Sequence, residues 1–315
     1  MDESAPGVRP PWVDETLFPF QSRFLEIDGN TVHYVDEGSG PTLLMLHGNP
    51  TWSFVYRDVI TSLRDRFRCV AVDYPGFGLS LARPGYGCLP EEHARVMVQF
   101  VDRLELTDAV IVVQDWGGPI GLYTVEQRPR RFRGLVVANT WAWPVNGDMH
   151  FEVFSHLMGG IVGTQLIKHV NLFVNMMIPA GHRRRKVTAA EMVHYRSALP
   201  TPSRRQASAV FPRAITRSRE FLASVERDLH KVSDLPALIV WGGGDFAFRR
   251  QERERWQQIF SSHETAVLDG AGHYVQSDAA SELSAAIATW AAATFAGASQ
   301  AAKPTTPNRT TETVE

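Results

Sequence analysis

The sequence lacks the features that mark disulfide-rich proteins, metal-cluster proteins and general binders of nucleic acids or anionic membranes. Only two of its 315 residues are cysteines, Cys69 and Cys88, too few for a disulfide framework or a cluster of metal ligands. We expect both to be free thiols, as in a reducing compartment. Neither sign of charge dominates, because 32 basic residues stand against 34 acidic ones, for a net charge of -2. This balance argues against a general nucleic-acid or anionic-membrane binder.

Long apolar runs are also missing. No stretch approaches the ~20 apolar residues that a transmembrane helix needs. The first residues, "MDESAPGVRPPW", combine an acidic start with prolines and have no apolar segment, so we expect no secretory signal peptide. We therefore predict a cytoplasmic protein. Hydrophobic residues still make up 44% of the chain, which is enough for a sizeable core.

The chain does contain a regular alternation of strand-like and helix-like segments. Two alternating stretches predict strands at 23–27 and 31–36, and "TLLMLHGNP" predicts a fully buried strand that ends in a polar turn. Short apolar runs predict further strands at 69–72, 109–113, 134–138, 237–241 and 265–268. Helical spacing between them predicts helices at 54–66, 91–104, 120–127, 251–260 and 281–295. This alternation predicts an α/β fold with a mostly parallel central sheet flanked by helices on both faces. The turn signal "DGN" adds an antiparallel hairpin at the edge.

One interval, 144–233, has no clear strand and carries apolar residues at helical spacing, as in "TAAEMVHYRSAL". We predict a core domain at 1–143 and 234–295, an inserted helical cap at 144–233, and a disordered polar tail at 296–315. The Met and Phe residues of the cap are interpreted as its own core. Its basic clusters, "HRRRK" at 182–186 and Arg204 with Arg205, are predicted to be solvent-exposed.

Polar residues follow several of the predicted strands, where parallel sheets carry their functional loops. In "VVQDWGGPIG" a strand, a sharp turn and a helix follow one another, and Asp115 stands where such an elbow usually presents a serine. The other loops supply His47, Asn49 and Trp52 in "LHGNPTW", Asp245 in "WGGGDFAF" and His273 in "LDGAGHYVQSD". Each has a plainer alternative, since an Asp can cap a helix and a Gly can permit a turn. Their joint occurrence, in the order nucleophile, acid, histidine, favours a catalytic site.

These stretches, with "HYVDEG", "DYPGFGLS", "MVHYRSALPTPSRR" and "FPR", resemble the haloalkane dehalogenase family of α/β-hydrolases from about residue 19 to 295. The resemblance implies Asp115 as nucleophile, His273 as base and Asp245 as the acid that orients it. It also implies Asn49 and Trp116 as the halide-binding pair, with Phe211 and Pro212 lining the pocket. One branch of the family carries a Glu after the strand that precedes the cap. Here "VVANTWAWP" has Asn139 instead, which favours Asp245 and the subfamily that combines Asp-His-Asp with Asn-Trp.

The chemistry agrees with this resemblance. A haloalkane offers an sp3 carbon, and an Asp, with a reference pKa of about 3.9, is already ionised to attack it at neutral pH. The N–H donors of Asn49 and Trp116 can stabilise the departing halide without adding negative charge. His273 would then activate a water against the Asp115 ester, and the backbone N–H groups of Asn49 and Trp116 would form the oxyanion hole. The expected partners are a halogenated alkane and water, with no cofactor and no metal.

Three other functions compete with this prediction. An epoxide hydrolase shares the fold and the Asp nucleophile but needs acid assistance, which that family draws from two cap tyrosines; residues 144–233 contain one, Tyr195. A cofactor-free luciferase-type monooxygenase shares the scaffold and is hard to exclude from the sequence. A non-catalytic small-molecule binder is a further alternative, because fold does not fix function. The intact set Asp115, His273 and Asp245 argues against the binder.

Overall fold

A single eight-stranded sheet organises the computed structural model, which describes residues 7–296. The strands are β1 (Arg23–Ile27), β2 (Asn30–Glu37), β3 (Thr42–Leu46), β4 (Arg68–Val72), β5 (Ala109–Gln114), β6 (Phe132–Ala138), β7 (Ala237–Gly242) and β8 (His263–Leu268). Their spatial order is β1-β2-β4-β3-β5-β6-β7-β8. The pairs β1–β2 and β2–β4 are antiparallel, and all other neighbours are parallel. The carboxyl ends of β3, β5, β6 and β7 therefore lie side by side.

Helices cover both faces of the sheet. In the core they are α1 (Arg57–Leu63), α2 (Pro90–Arg103), α3 (Gly117–Gln127), α10 (Arg250–Ile259), α11 (Val275–Asp278) and α12 (Ala280–Phe295). Short 3-10 turns lie at Ser53–Tyr56, Pro129–Arg131 and Leu229–Lys231. Ile111 of β5 packs into one hydrophobic cluster and its neighbour Val112 into another across the sheet. Because successive strand side chains point to opposite faces, burial on both sides explains why β5 is apolar up to Val113.

Six helices follow β6 before β7 begins, in the interval predicted to be a cap. They are α4 (Met149–Gly159), α5 (Ile161–Val170), α6 (Ile178–Gly181), α7 (Ala189–Ala198), α8 (Gln206–Arg217) and α9 (Arg219–Asp228), with a π-helical turn at Phe173–Met177 before α6. Polar contacts tie this layer to the core. The amide of Asn49 donates to the carbonyl of Ser208 at 3.2 Å, and a ring nitrogen of His150 lies 3.0 Å from the carbonyl of Ala247. The exact limits of core and cap remain predictions.

The predicted exposure of the two basic clusters is partly wrong. His182 is buried, and Arg185 donates to Glu191 and to the backbone of Ser277. Arg205 donates to the carbonyls of Lys168, Leu199 and Pro200, and Arg204 to those of Gly78 and Ser80. Lys168 lies in the last turn of α5 and Leu199 directly follows α7. Helix ends leave carbonyl groups without intrahelical partners, and the five N–H donors of the Arg205 guanidinium can satisfy several at once. Arg183, Arg184 and Lys186 are exposed as predicted.

Smaller differences concern element boundaries. The helix predicted at 54–66 is a 3-10 turn followed by α1, and α3 begins at Gly117 rather than at residue 120. Cys69 and Cys88 are buried free thiols. The tail predicted to be disordered lies outside the described residues except for Ala296. Within residues 7–296 no single helix has the length and apolar character of a membrane span, although the bent pair Ile161–Val170 and Phe173–Gly181 meets that test by length and composition.

Candidate active site

The turn between β5 and α3 holds Asp115 in a left-handed backbone conformation, with φ of 53°. A non-glycine residue adopts this region at an energetic cost, so the surrounding structure must impose it. The backbone N–H of Asp115 donates to the carbonyl of Asn139 at 3.0 Å. A side chain on Gly117 would collide with the carbonyl of Leu46, and one on Gly118 with the hydroxyl of Thr140. The two glycines therefore let α3 start close to β3 and β6, directly behind Asp115.

The carboxylate of Asp115 is held by backbone donors. Its Oδ1 accepts the N–H of Asn49 at 2.8 Å, and the N–H of Trp116 also stabilises its charge. Burial raises the pKa of Asp115 from its ordinary value, while His273 and the two backbone N–H groups oppose that shift. Two N–H groups thus already converge on the atoms where negative charge would develop.

His273 lies between two carboxylates. Its Nδ1 is 3.1 Å from Oδ2 of Asp245, whose side chain is fully buried, and its Nε2 is 3.8 Å from Oδ2 of Asp115. Burial lowers the pKa of His273, but the neighbouring charges of Asp245 and Asp115 and the hydrogen bond to Asp245 outweigh it, so the pKa is raised. The three side chains that the sequence singled out from three separate loops therefore form one contiguous chain of contacts.

Asn139 occupies the alternative position for an acid and supports Asp245 instead. Its Nδ2 donates to Oδ2 of Asp245 at 2.7 Å, and its Oδ1 accepts the N–H of Gly242 at 2.8 Å. The backbone N–H of Ala247 donates to Oδ1 of Asp245 at 2.7 Å. Both carboxylate oxygens of Asp245 are thus fixed by donors, which orients one of them at His273.

The two residues predicted to bind halide both line the cavity beside Asp115. The indole of Trp116 meets that of Trp141 edge-to-face, with ring centroids 4.7 Å apart. The amide of Asn49 already donates one N–H to the carbonyl of Ser208 at 3.2 Å. An Asn amide has two N–H donors, so this contact leaves a second one for a ligand.

Of the other residues singled out from the sequence, only one lines the cavity. His47 is buried, donates from Nδ1 to the Gly48 carbonyl at 2.9 Å, and has a pKa lowered by burial to about 4, so it stays neutral and supports the turn. Trp52 packs against Phe54 and other aromatic rings. Pro212 lines the cavity, whereas Phe211 lies one layer behind, with its ring 5.0 Å from that of Trp116.

The cavity itself has a volume of about 100 Å³ and a mainly apolar wall. The core contributes residues that the sequence reasoning missed: Trp141, Phe246, Phe248 and Tyr274. The predicted cap, 144–233, contributes His150, Phe151, Phe154, Phe173, Met177 and Ile215. The cap Phe and Met residues were predicted to be ordinary cap core, and several face the cavity as well. Among residues 7–296 no group of three or more His, Cys, Asp or Glu side chains is arranged to hold a metal ion.

The chain resembles known proteins over most of its length. A family model described as the alpha/beta hydrolase fold matches residues 41–280. A haloalkane dehalogenase 2 from Mycobacterium tuberculosis is 43% identical over 276 residues, which cover 87% of this chain and 96% of that protein. A cis-3-alkyl-4-alkyloxetan-2-one decarboxylase from Shewanella oneidensis is 29% identical over 279 residues, 85% of this chain and 87% of that one.

Solved structures also superpose on most of this chain. The crystal structure of a putative ancestral haloalkane dehalogenase superposes with a TM-score of 0.78 at 28% identity, covering 87% of this chain and 99% of that one. A second structure, of the DBJA delta mutant, superposes with a TM-score of 0.79 at 27% identity, covering 88% of this chain and 99% of that one. With 43% identity over nearly the full length of a curated relative, the chain belongs to the haloalkane dehalogenase family of enzymes with the α/β-hydrolase fold.

Proposed function

We propose that the chain hydrolyses small haloalkanes to an alcohol, a halide and a proton through an alkyl ester on Asp115. The observation that carries the proposal is a carboxylate at the strained elbow, facing an apolar cavity of about 100 Å³ with His273 3.8 Å away. A carboxylate attacks an sp3 carbon without help from a base, which a serine would need. The buried site also excludes bulk water from the first step.

In the first step an Asp115 oxygen forms a bond to the halogen-bearing carbon. The electrons of the carbon–halogen bond leave with the halide, which is stabilised by the indole N–H of Trp116 and the free amide N–H of Asn49. Both donors are neutral, so they provide electrostatic stabilisation without a competing anion. The product of this step is an alkyl ester of Asp115.

In the second step His273 removes a proton from water, and the resulting hydroxide attacks the carboxyl carbon of Asp115. The backbone N–H of Asn49, 2.8 Å from Oδ1 of Asp115, and that of Trp116 are positioned to stabilise the oxyanion. Asp245 stabilises the imidazolium and holds the proton on Nδ1. The bond between the carboxyl carbon and the alkyl oxygen then breaks, and the alcohol departs with an oxygen that belonged to Asp115 and with the proton held on Nε2 of His273. The carboxyl group, which has gained an oxygen from water, releases its own proton to solvent and becomes the carboxylate again.

The cavity size favours short substrates. An engineered apolar cavity of about 150 Å³ is known to bind benzene. A cavity of about 100 Å³ suits molecules no larger than benzene, such as bromoethane, dibromoethane and bromopropane. We therefore propose short-chain haloalkanes as the substrate class.

An epoxide hydrolase is disfavoured by where the cap tyrosine lies. Tyr195 is buried against Phe54, with ring centroids 5.3 Å apart, and does not line the cavity. No cap tyrosine therefore faces Asp115 to protonate an epoxide oxygen. Tyr274 does line the cavity, but it belongs to the core loop beside His273.

The test has two parts. Purified protein is incubated with short bromoalkanes, an epoxide and a four-membered lactone, and halide release and substrate loss are measured. A single turnover is then run in water that carries a heavy oxygen isotope, and the peptide containing Asp115 is weighed. We expect halide release and isotope in Asp115 rather than in the first alcohol formed. Consumption of the epoxide or lactone with no halide from any bromoalkane would contradict the proposal, as would binding without turnover.

A further inference from the structure

Gln114 is the residue immediately before Asp115, and it contacts His273 rather than the cavity. It is the last residue of β5 and is 1% exposed. Its Nε2 lies 3.0 Å from Nε2 of His273 and 3.2 Å from the backbone carbonyl of the same residue. Its Oε1 accepts a hydrogen bond at 3.1 Å from Gln276, one turn beyond His273. Gln114 is therefore fixed at three points around the imidazole.

These contacts determine which way the amide of Gln114 faces. A backbone carbonyl can only accept, so the nitrogen of Gln114 must point at His273. One N–H then serves the carbonyl, and the other meets Nε2 of the ring. That ring nitrogen must accept, which requires a neutral imidazole with its proton on Nδ1. Nδ1 in turn donates to Asp245 at 3.1 Å, so the same tautomer is favoured from both ends of the ring.

We propose that Gln114 is a positioning residue that keeps His273 neutral, with its proton on Nδ1 and its Nε2 lone pair accepting the Gln114 amide, until the ester has formed. This inference rests on the proposed hydrolysis through Asp115. The incoming water must displace the N–H of Gln114 from the lone pair, so the bond restrains the resting ring and does not take part in the proton transfer. It also keeps a proton off the nitrogen that faces the nucleophile.

The other groups around His273 include two carboxylates, which affect the charge state of its ring. Asp245 and Asp115 both favour the charged ring, with Asp245 in direct contact and Asp115 3.8 Å away. Tyr274 packs edge-on at 4.7 Å, and His150 lines the same cavity. The Gln114 amide opposes the two carboxylates, because a donor facing Nε2 stabilises only the neutral ring.

The substitution that tests this is Gln114→Leu, which removes the donor and keeps a side chain of similar length. The neutral ring then loses its hydrogen bond, so the pKa of His273 should rise by about one unit, the value of one buried hydrogen bond. Gln114→Glu should raise the pKa further by placing a carboxylate at Nε2. Gln127→Leu, the same change at an exposed site on α3, is the matched control.

Nitrogen NMR of histidine-labelled protein measures the pKa and tautomer of His273 in the resting enzyme, with His273→Phe to assign its signal. We expect the Nδ1–H tautomer in the unsubstituted protein. The pKa of His273 should be lowest in the unsubstituted protein, higher in Gln114→Leu and highest in Gln114→Glu. An Nε2–H tautomer, or a pKa unchanged by Gln114→Leu, overturns the inference. This measurement needs no turnover, so it stands apart from any failure of the proposed reaction.

Kinetics supply the second readout. In Gln114→Leu the first release of halide should change less than about threefold, while ester hydrolysis slows about tenfold at neutral pH and recovers at higher pH. Alkylated enzyme should accumulate and be visible by mass spectrometry. An equal loss at every pH, with the acid limb of the profile unmoved, would indicate a purely structural role and contradict the proposal.

Discussion

Replacement of Asp245 by Asn is the most informative single change, because three hydrogen-bond donors converge on its carboxylate. Ala247 N–H donates to one oxygen, and Asn139 and His273 donate to the other. An amide offers one oxygen and one nitrogen in place of the two oxygens. If the nitrogen of the new amide faces Ala247, His273 keeps its proton on Nδ1, but the amide N–H then faces the backbone N–H of Ala247 and neither can accept a hydrogen bond. With the nitrogen toward His273, the ring must flip its proton to Nε2 and meets the N–H of Gln114.

The size of the effect follows from these two orientations. Loss of an orienting carboxylate in a Ser-His-Asp triad costs ~10⁴-fold, largely through the wrong tautomer. Here Gln114 still favours the correct tautomer, so we expect a loss of about 10²–10⁴-fold, confined to ester hydrolysis. The pKa of His273 is raised by Asp245, so its removal should lower that pKa and move the acid limb of the pH profile to lower pH.

The assay is rapid quench on bromoethane, which separates halide release from ester hydrolysis. Asp269→Asn is the matched control, because Asp269 is an exposed residue four positions before His273. Both variants are checked for folding by circular dichroism. If Asp269→Asn costs more than Asp245→Asn, or if Asp245→Asn slows the first halide release as much as ester hydrolysis, the assigned role of Asp245 is wrong.

Three further predictions use the same purified protein. Asp115→Asn should abolish alcohol formation from bromopropane, because an amide is a poor nucleophile; a rate equal to that of the unsubstituted protein would refute the elbow assignment. His273→Phe should release about one halide per active site and then stall, with the alkyl adduct on the peptide containing Asp115; sustained turnover would refute it. Phe173→Ala should shift preference toward longer bromoalkanes at a stability cost of no more than about 3–5 kcal/mol, measured by thermal unfolding. Phe260→Ala, buried away from the cavity, should cost stability and leave chain-length preference unchanged.

The fold was predictable because its signal is local. β1 matches its predicted range, and β5 extends its range by one residue, Gln114. Apolar runs of four to eight residues can be recognised without knowing what packs on them. The start of α3 was missed because Gly117 and Gly118 have poor helix propensity. Glycine is required at these two positions because Leu46 and Thr140 approach too closely for a side chain.

The site was predictable only in part, because its remaining members are defined by contacts distant in sequence. Asp115, Asp245 and His273 each end a recognisable motif, whereas the cavity wall draws single residues from many segments of the core and the cap. Gln114 stands inside the motif that identified Asp115, yet its partner His273 lies 159 residues away. Its one local signal was a polar residue at the end of an otherwise apolar buried strand.

The substitutions Asp245→Asn and Gln114→Leu should shift the pKa of His273 in opposite directions. This difference distinguishes an electrostatic effect from a general loosening of the packing. Asp245→Asn removes a group that stabilises the charged ring, so the pKa of His273 should fall. Gln114→Leu removes a donor that stabilises the neutral ring, so the pKa should rise. A general loosening of the site admits water around His273 in both variants and shifts the pKa in the same direction in each. Movement in opposite directions, measured on the resting enzyme, therefore requires that Asp245 and Gln114 hold the two ring nitrogens in opposite roles, one as donor and one as acceptor.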